Sequence, residues 1–515
     1  MIPPPLLKRW NSLDRATLLA YQGRALHRYL RDCVLPFSKH YAAVFRERGL
    51  KADDFRSVDD LAKLPFVSKT DLLPTPENPQ RARDFALIPD PRVLARRPAT
   101  ILRALTRGRA RTQDALGREW RPTFMTSTTG RSAEPVAFLY TQRDIDLMGR
   151  AAARIVEMLD VGADERMANL FPYAPHLAYW MFYEAARAKN IFCVGTGGGK
   201  CLGTDGNLRL MKRLKPTVIA GMPTFIYHVL QQAADEGTRL EGVRVIFLGG
   251  EKVAEGTRRK LHEYCEKLGS PAPMIVATYG FTEAKMAWAE CPHAIDAPSP
   301  GFHTFPDFGI FEIIDPETGQ VQPDGVGGEI VWTPLLARGT VVLRYRTGDL
   351  SEHGLSYAPC PCCGRTMPRL TGKISRVSDK RSLRFQKIKG TIIDFNELEL
   401  LLDDVRGLGS WQVELRKKNN DPNQMDELVV HAARAADASE ETVAACIRAQ
   451  FARTFEIAPN AIEFHSAEEI RTLQKVGVAM KEEKVVDHRA LSGQPDAAAA
   501  AACNNGAESS AATPV

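Results

Sequence analysis

The sequence predicts a two-domain α/β protein: a large N-terminal domain of layered sheets and helices ending in a β subdomain, then a small α+β C-terminal domain. Three observations predict it. A length of 515 residues exceeds one ordinary core and suits a large domain with a smaller one. After Pro122 short apolar runs alternate with helical spacing, and from Phe308 an antiparallel pattern with tight turns takes over. The divisions expected are 1–375, 376–489, and a low-complexity tail over 490–515 expected to be disordered.

From Leu13 to Leu64 the apolar spacing is helical, and Ser57-Val58-Asp59-Asp60-Leu61 has the form of a capped helix start. Buried strands are expected at Ala168–Leu170, Ile191–Val194, Val218–Ala220, Val243–Leu248 and Met274–Thr278, each ending in a polar or glycine-rich turn. The turns Asp315-Pro316-Glu317-Thr318-Gly319 and Pro323-Asp324-Gly325 separate alternating strands such as Gly328–Trp332. The segment 371–389, dense in Lys, Arg and Ser, connects to the small domain.

A charged fraction of 25%, a hydrophobic fraction of 44% and a net charge of +6 are those of a globular protein without a nucleic-acid footprint. The basic stretch Arg92–Arg111 lacks interleaved aromatics and is expected to be a solvated face. No apolar run reaches membrane-span length and no leader-like stretch follows Met1, so neither a membrane nor a nucleic-acid partner is expected and the cytoplasm is the expected compartment. Oligomeric state is undecided, with a homodimer left open.

Three short constellations carry chemistry. Thr126-Ser127-Thr128-Thr129-Gly130-Arg131 offers hydroxyls, backbone N–H groups and a guanidinium to a polyphosphate. Tyr279-Gly280-Phe281-Thr282-Glu283 follows a buried strand, where α/β domains present ligands, and sets a hydroxyl beside a carboxylate suited to phosphate and Mg²⁺. Tyr345-Arg346-Thr347-Gly348-Asp349 puts one carboxylate on a tight turn, able to accept two hydrogen bonds from a ribose diol. The crowding of Cys360, Cys362 and Cys363 points to a metal before disulfides, with Cys360-x-x-Cys363-Gly364 shaped as a zinc knuckle and Cys291-x-His293 able to complete a Cys₃His set. Cys362 leaves the choice within the cluster open, and reduced unliganded thiols are the alternative.

In this order the constellations resemble the adenylate-forming superfamily, and most closely its phenylacetate-CoA ligase-like branch. Glu312–Gly319, Pro323-Asp324-Gly325, Gly328-Glu329, Arg344–Asp349 and Cys363-Gly364-Arg365-Thr366 carry the branch resemblance, which spans about Leu61 to Arg489. It implies ATP-dependent joining of a carboxylate to the α-phosphate, then transfer of the acyl group to a thiol, most simply CoA. It also implies a mobile C-terminal lid. By position, Thr126 to Arg131 would hold the β- and γ-phosphates, Gly249-Gly250-Glu251 would line adenine, and Tyr279 and Gly280 would lie beside it. Thr282 would touch the α-phosphate, Glu283 would bind Mg²⁺, Asp349 the ribose, and Arg376 the nucleotide. Lys481, with Lys475 as a weaker alternative, would be the adenylation lysine.

The chain departs from the family pattern at Ser127, which replaces a glycine, at Arg131, near the family's lysine position, and at Met480, which also replaces a glycine. Phe171–His176 and Gly221–Thr224 occupy the acid-pocket positions, for which an aryl or arylacetyl acid is expected. Delivery to a carrier protein or an amine, and a degenerate nucleotide-binding regulatory protein, are the alternatives.

Overall fold

A computed structural model describes residues 9–488 apart from 129–134, 296, 377–386, 389–390, 393–394, 419–425, 437, 456 and 477–481. The described residues divide into two compact units, one running up to Arg376 together with Val476, the other from Lys387 onward. Arg376, expected at the boundary, lies inside the first unit, because Ile374–Arg376 pairs with Tyr345–Ser351. The tail from 490 lies outside the described residues.

The first unit is organised around a six-stranded sheet. Its strands are β3 (Arg166–Asn169), β4 (Phe192–Gly195), β5 (Val218–Gly221), β6 (Val245–Leu248), β7 (Met274–Phe281) and β8 (Met286–Ala289), in the order β4-β3-β5-β6-β7-β8. All neighbours are parallel except β7 and β8. The near-continuous apolar text of β5 and β6 follows from burial of both faces. Val245 and Phe247 join one core, while Ile246 and Leu248 join the other. Helices at Gln142–Met158 and Leu177–Lys189 contribute to the first core, and those at Pro223–Asp235 and Glu255–Lys267 to the second.

A separate hairpin pairs β1 (Pro122–Ser127) with β2 (Ala137–Thr141). The β subdomain contains β10 (Gly309–Ile314), β11 (Gly328–Pro334), β12 (Tyr345–Ser351) and β15 (Ile374–Arg376) as one antiparallel sheet. A small second sheet centres β14 (Arg369–Leu370) between β13 (Leu355–Ser356) and β9 (Phe302–His303). The helical entry expected from Leu13 is present as Arg15–Tyr29 and Lys39–Glu47. Its Ser57–Leu61 start is a 3₁₀ turn over Asp59–Lys63, in which the Asp60 carboxylate accepts from the Arg56 and Ser57 amides.

The helix Gln142–Met158 shows how sequence, cap and core are joined. Thr141 and Asp144 form a reciprocal capping box, satisfying amide donors that the first turn leaves unpaired. Asp144 is itself buried and faces Lys285, whose Nζ lies 3.3 Å from Oδ2. The same ammonium donates to the carbonyls of Leu139 (2.7 Å) and Arg338 (2.5 Å) and lies 4.9 Å from the Tyr140 ring centroid. Asp144 Oδ1 accepts from the Arg338 amide, and the Arg338 guanidinium pairs with buried Glu119 at 2.9 Å. One lysine thus ties β2, a helix cap and the loop after β11 to the turn that follows β7.

The second unit carries β16 (Lys387–Ile388) paired with β17 (Thr391–Ile392), and a sheet ordered β20-β19-β18-β21. Its strands are β18 (Leu408–Lys417), β19 (Asp426–Arg434), β20 (Ala461–Phe464) and β21 (Val485–Asp487). Helices Phe395–Asp403 and Glu440–Phe455 bury Leu398, Leu402, Val443, Ile447 and Phe451 with Trp411, Val413, Leu428 and Val430 of the sheet. Among the described residues no helix is long and apolar enough to cross a membrane.

Removing one partner of a buried ion pair leaves an uncompensated charge and costs about 3–5 kcal/mol. Lys285→Met is therefore expected to lower the stability of the first unit by an amount of that order, read from urea unfolding followed by tryptophan fluorescence. A loss below about 1 kcal/mol would contradict the role given to this lysine.

Candidate active site

The end of β7 and the start of β12 bring two motifs together. Tyr279, on β7, donates its hydroxyl to Asp349 Oδ2 at 2.9 Å, and Arg376 Nε lies 3.1 Å from Asp349 Oδ1. Asp349 is buried, whereas the Arg376 side chain is 61% exposed, so a solvent-facing guanidinium covers a carboxylate held from below. The Thr347-Gly348 turn fixes that carboxylate. Thr347 Oγ1 accepts from the Asp349 amide, Gly348 has a φ of 72° that favours glycine, and Glu329 accepts from the Gly348 amide. Glu329 also pairs with Arg346.

Glu283 stands in a 3₁₀ turn over Thr282–Ala284, immediately after β7. Its Oε1 accepts from Tyr345 Oη at 2.7 Å, and burial raises the Glu283 carboxyl above its ordinary value, with the Asp349 charge adding to the rise. The turn ends at Lys285, which holds a left-handed φ of 61° unusual for a non-glycine residue. Its buried bonds to Leu139, Arg338 and Asp144 fix that conformation and with it the aim of Thr282 and Glu283. Gly280 is required by space, since a Cβ there would come within 2.7 Å of the Ala287 Cβ.

Gly249-Gly250-Glu251 follows β6. A Cβ at Gly249 would meet Thr278 Oγ1 at 2.5 Å, and Gly250 has a φ of 83°. Glu251 is engaged as a cap, accepting from Thr224 Oγ1 (2.5 Å) and from the Thr224 amide at the N-terminus of the Pro223–Asp235 helix. The expected adenine wall and the Gly221–Thr224 pocket wall are therefore physically linked.

The hydroxyl-rich loop divides. Thr129, Gly130 and Arg131 lie outside the described residues, as does Lys481. Thr126, expected to contact phosphate, is instead fully buried, with its hydroxyl donating to Tyr140 Oη at 3.0 Å, because strand alternation turns it into the core. Thr128 closes the hairpin through Val136: its amide donates to the Val136 carbonyl and its Oγ1 accepts from the Val136 amide. Ser127 is tied to the aromatic segment, its amide donating to Pro175 O and its carbonyl lying 3.0 Å from His176 Nδ1. In that segment Tyr173 packs edge-on against Tyr179, and Phe171 stacks on Phe182.

The cysteines assemble with a different histidine from the one expected. Cys291, Cys360, Cys363 and His303 place one ligand atom each within 4.8 Å of one another. His293 is not in this group; its Nδ1 donates to the Cys291 carbonyl at 3.0 Å. His303 reaches it through the β9–β14 pairing, which sets it opposite Arg369 just after the cysteine turn, with Nε2 3.5 Å from Cys363 Sγ. Burial, with help from Arg369 and Arg365, pushes the His303 imidazole down to about 3, keeping it neutral and its lone pair available. The turn closes by donation from the Gly364 amide to Cys360 O, Gly364 having a φ of 68°, while Cys362 is exposed outside the group.

A family model described as AMP-binding enzyme matches residues 136–340, which contain Gly249–Glu251 and Tyr279–Glu283. The phenylacetate-coenzyme A ligase of Thermus thermophilus is 25% identical over 394 residues, covering 75% of this chain and 76% of that protein. That of Pseudomonas putida is 24% identical over 396 residues, covering 76% of each chain. A solved structure of 2-hydroxyisobutyryl-CoA ligase with an acyl-adenylate superposes with a TM-score of 0.68 at 18% identity, covering 98% of this chain and 96% of that one. The chain is similar to adenylate-forming enzymes in the stretch that holds two of these motifs. Over about three quarters of its length it is similar to phenylacetate-CoA ligases.

The raised Glu283 carboxyl has a consequence for pH. A folded value above the ordinary 4.5 means that protonation favours the fold: the contribution is fully present below 4.5 and is lost as pH rises through the folded value. Glu283→Gln, which keeps the acceptor for Tyr345, is expected to melt above wild type at neutral pH, with the gap closing in acid below 4.5. Equal melting temperatures at pH 7.5 would contradict this.

Proposed function

We propose that this chain activates an aryl or arylacetyl carboxylate with ATP and transfers the acyl group to the thiol of CoA. The observation that carries it is the convergence of Thr282 and Glu283 with the Tyr279–Asp349–Arg376 cluster, supported by the resemblance to phenylacetate-CoA ligases. In the first step a carboxylate oxygen bonds to the α-phosphorus and the bond to pyrophosphate breaks. In the second the thiol sulfur bonds to the acyl carbon, AMP leaves, and the thiol proton is lost.

Asp349, which accepts from Tyr279 and faces Arg376, is proposed as the acceptor for the ribose hydroxyls, a carboxylate having about four acceptor sites. Arg376 neutralises that carboxylate and adds positive charge beside the phosphates. Thr282 is the hydroxyl for the α-phosphate. Glu283 is the residue to hold Mg²⁺, which when bound offsets phosphate charge; the ionised form it requires is disfavoured in the free chain, so cation binding is tied to deprotonation. Ser127, Thr128, Thr129, Gly130 and Arg131 are proposed for the β- and γ-phosphates. The barrier lies in bringing anions together, so these roles are mostly electrostatic. The acid is assigned to exposed Tyr173 and half-buried Tyr179 and Met222, whose apolar surface suits an aromatic ring. We assign the second unit the role of the family's lid, and Lys481 that of the adenylation lysine.

The Cys291–His303–Cys360–Cys363 set is proposed as a closed zinc site. Three thiols and one neutral imidazole are a usual structural zinc donor set, and such a site cross-links the segments after β8 and before β14 without entering the chemistry.

Pyrophosphate release across a panel of aromatic acids tests the activity: release with at least one aryl or arylacetic acid is expected, and no release with ATP still bound would favour a nucleotide-binding regulatory protein. Lys481→Ala is expected to lower adenylate formation by about 100-fold or more while leaving thioester formation from supplied acyl-adenylate largely intact, an effect of the size seen when one preorganised charge is removed. Equal loss of both steps would reject the lysine assignment. For the metal, His303→Ala and Cys363→Ser are expected to lower zinc content and melting temperature, with His293→Ala and Cys362→Ser leaving both near wild type. Zinc loss on replacing His293 alone would reverse the ligand assignment.

A further inference from the structure

The sheet of the second unit carries a second cluster of metal-ligating side chains, chemically unlike the cysteine set. His431 on β19 lies opposite Glu463 on β20 in the parallel pairing, and His465, two residues after Glu463, shares its face. His431 Nδ1 is 3.0 Å from His465 Nε2 and 3.5 Å from Glu463 Oε2, and the last two atoms are 4.0 Å apart. A tetrahedral ion with bonds of about 2.0–2.2 Å separates its ligand atoms by about 3.3–3.6 Å, so one ion placed between these three atoms needs shifts of a few tenths of an ångström.

The surroundings fit a metal as well. The other nitrogen of His431, Nε2, lies 3.1 Å from Glu414 Oε2 on β18, the carboxylate–histidine arrangement that fixes the tautomer and leaves Nδ1 with its lone pair directed at the ion. Arg416 lies 3.3 Å from Glu414 Oε2 and 3.8 Å from Glu463 Oε1, holding the Glu463 oxygen that faces away from the two histidines. His488 Nε2 stands 3.8 Å from Glu414 Oε1. The His431 side chain is 9% exposed, against 25% for His465 and 42% for Glu463, so the anchoring ligand is buried while the entry side is open.

We propose that His431, Glu463 and His465 form a binding site for a first-row divalent cation of the zinc class, with Glu414 orienting His431. Two imidazoles and one carboxylate suit zinc, cobalt or nickel; magnesium and calcium, which take oxygen ligands, are disfavoured. Three protein ligands leave a fourth position for water or an incoming group. The bound ion fastens β20, an edge strand, to β19, so it stabilises the second unit.

The test uses the full-length protein, dialysed into metal-free buffer and titrated with Zn²⁺ by calorimetry and Co²⁺ by absorbance. Wild type is expected to bind about one Co²⁺ whose visible bands lack thiolate charge-transfer intensity. His465→Ala and Glu463→Gln, both on the open side, are expected to weaken that binding by about 10-fold or more. Cys363→Ser is expected to retain it. Glu414→Gln, which keeps the hydrogen-bonding shape, is expected to weaken binding less than either ligand variant. Absence of any thiolate-free Co²⁺ binding in wild type overturns the proposal, as does binding unchanged in both His465→Ala and Glu463→Gln. Loss of all Co²⁺ binding in Cys363→Ser does so too, because it traces the ion to the cysteine set.

Discussion

The ammonium of Lys285 is buried under the turn that carries Thr282 and Glu283, and much of the first unit's geometry depends on where it goes. It is shared among Asp144 and the carbonyls of Leu139 and Arg338. Burial lowers the lysine's proton affinity, so the group remains charged only because Asp144 and the two carbonyls replace its water. The arrangement uses Asp144 twice, as a helix cap and as a counter-ion. It also holds the backbone at Lys285 in the left-handed region, and so sets the direction in which the chain leaves β7. A hydroxyl and a carboxylate proposed for a phosphate and its cation need to be held in place, because charge stabilisation works only when the donors and acceptors are already aimed.

From that anchor the site extends along β12. Tyr345 and Asp349 sit on the same strand and receive, respectively, Glu283 and the Tyr279–Arg376 pair. The two carboxylates feel each other's charge, one reason Glu283 resists ionisation in the free chain. The nucleotide proposed for this site would add a cation beside Glu283 to the positive charge and hydroxyl donors that Arg376, Tyr279 and Tyr345 already supply. In the proposed function, cation binding at Glu283 is therefore coupled to its deprotonation.

Much of this was legible in the sequence, and the exceptions have physical causes. The runs at Val218–Ala220, Val243–Leu248 and Met274–Thr278 read as buried strands because both faces of the sheet are covered and leave no alternation to obscure them. The motifs at Tyr279–Glu283 and Tyr345–Asp349 could be read because short turns keep their residues local. His303 could not. Its partnership with the cysteines is created by the pairing of two-residue strands β9 and β14, whereas His293 had only the attractive sequence spacing. Thr126 was misread for a related reason: a hydroxyl-rich run looks uniform in sequence, but alternation on β1 sends one of its members into the core. Lys285 and Asp144 lie well apart in sequence, and nothing in the text of either announces a buried pair.

In the proposed first step a carboxylate oxygen attacks the α-phosphorus of ATP, and the path of an isotope tests that step. With an ¹⁸O-labelled aryl or arylacetic acid, ATP and CoA, one labelled oxygen should appear in AMP, because the carboxylate oxygen that bonds to phosphorus leaves with the nucleotide when the thioester forms. Label in inorganic phosphate, with ADP as the nucleotide product, would contradict the account by showing attack at the γ-phosphate.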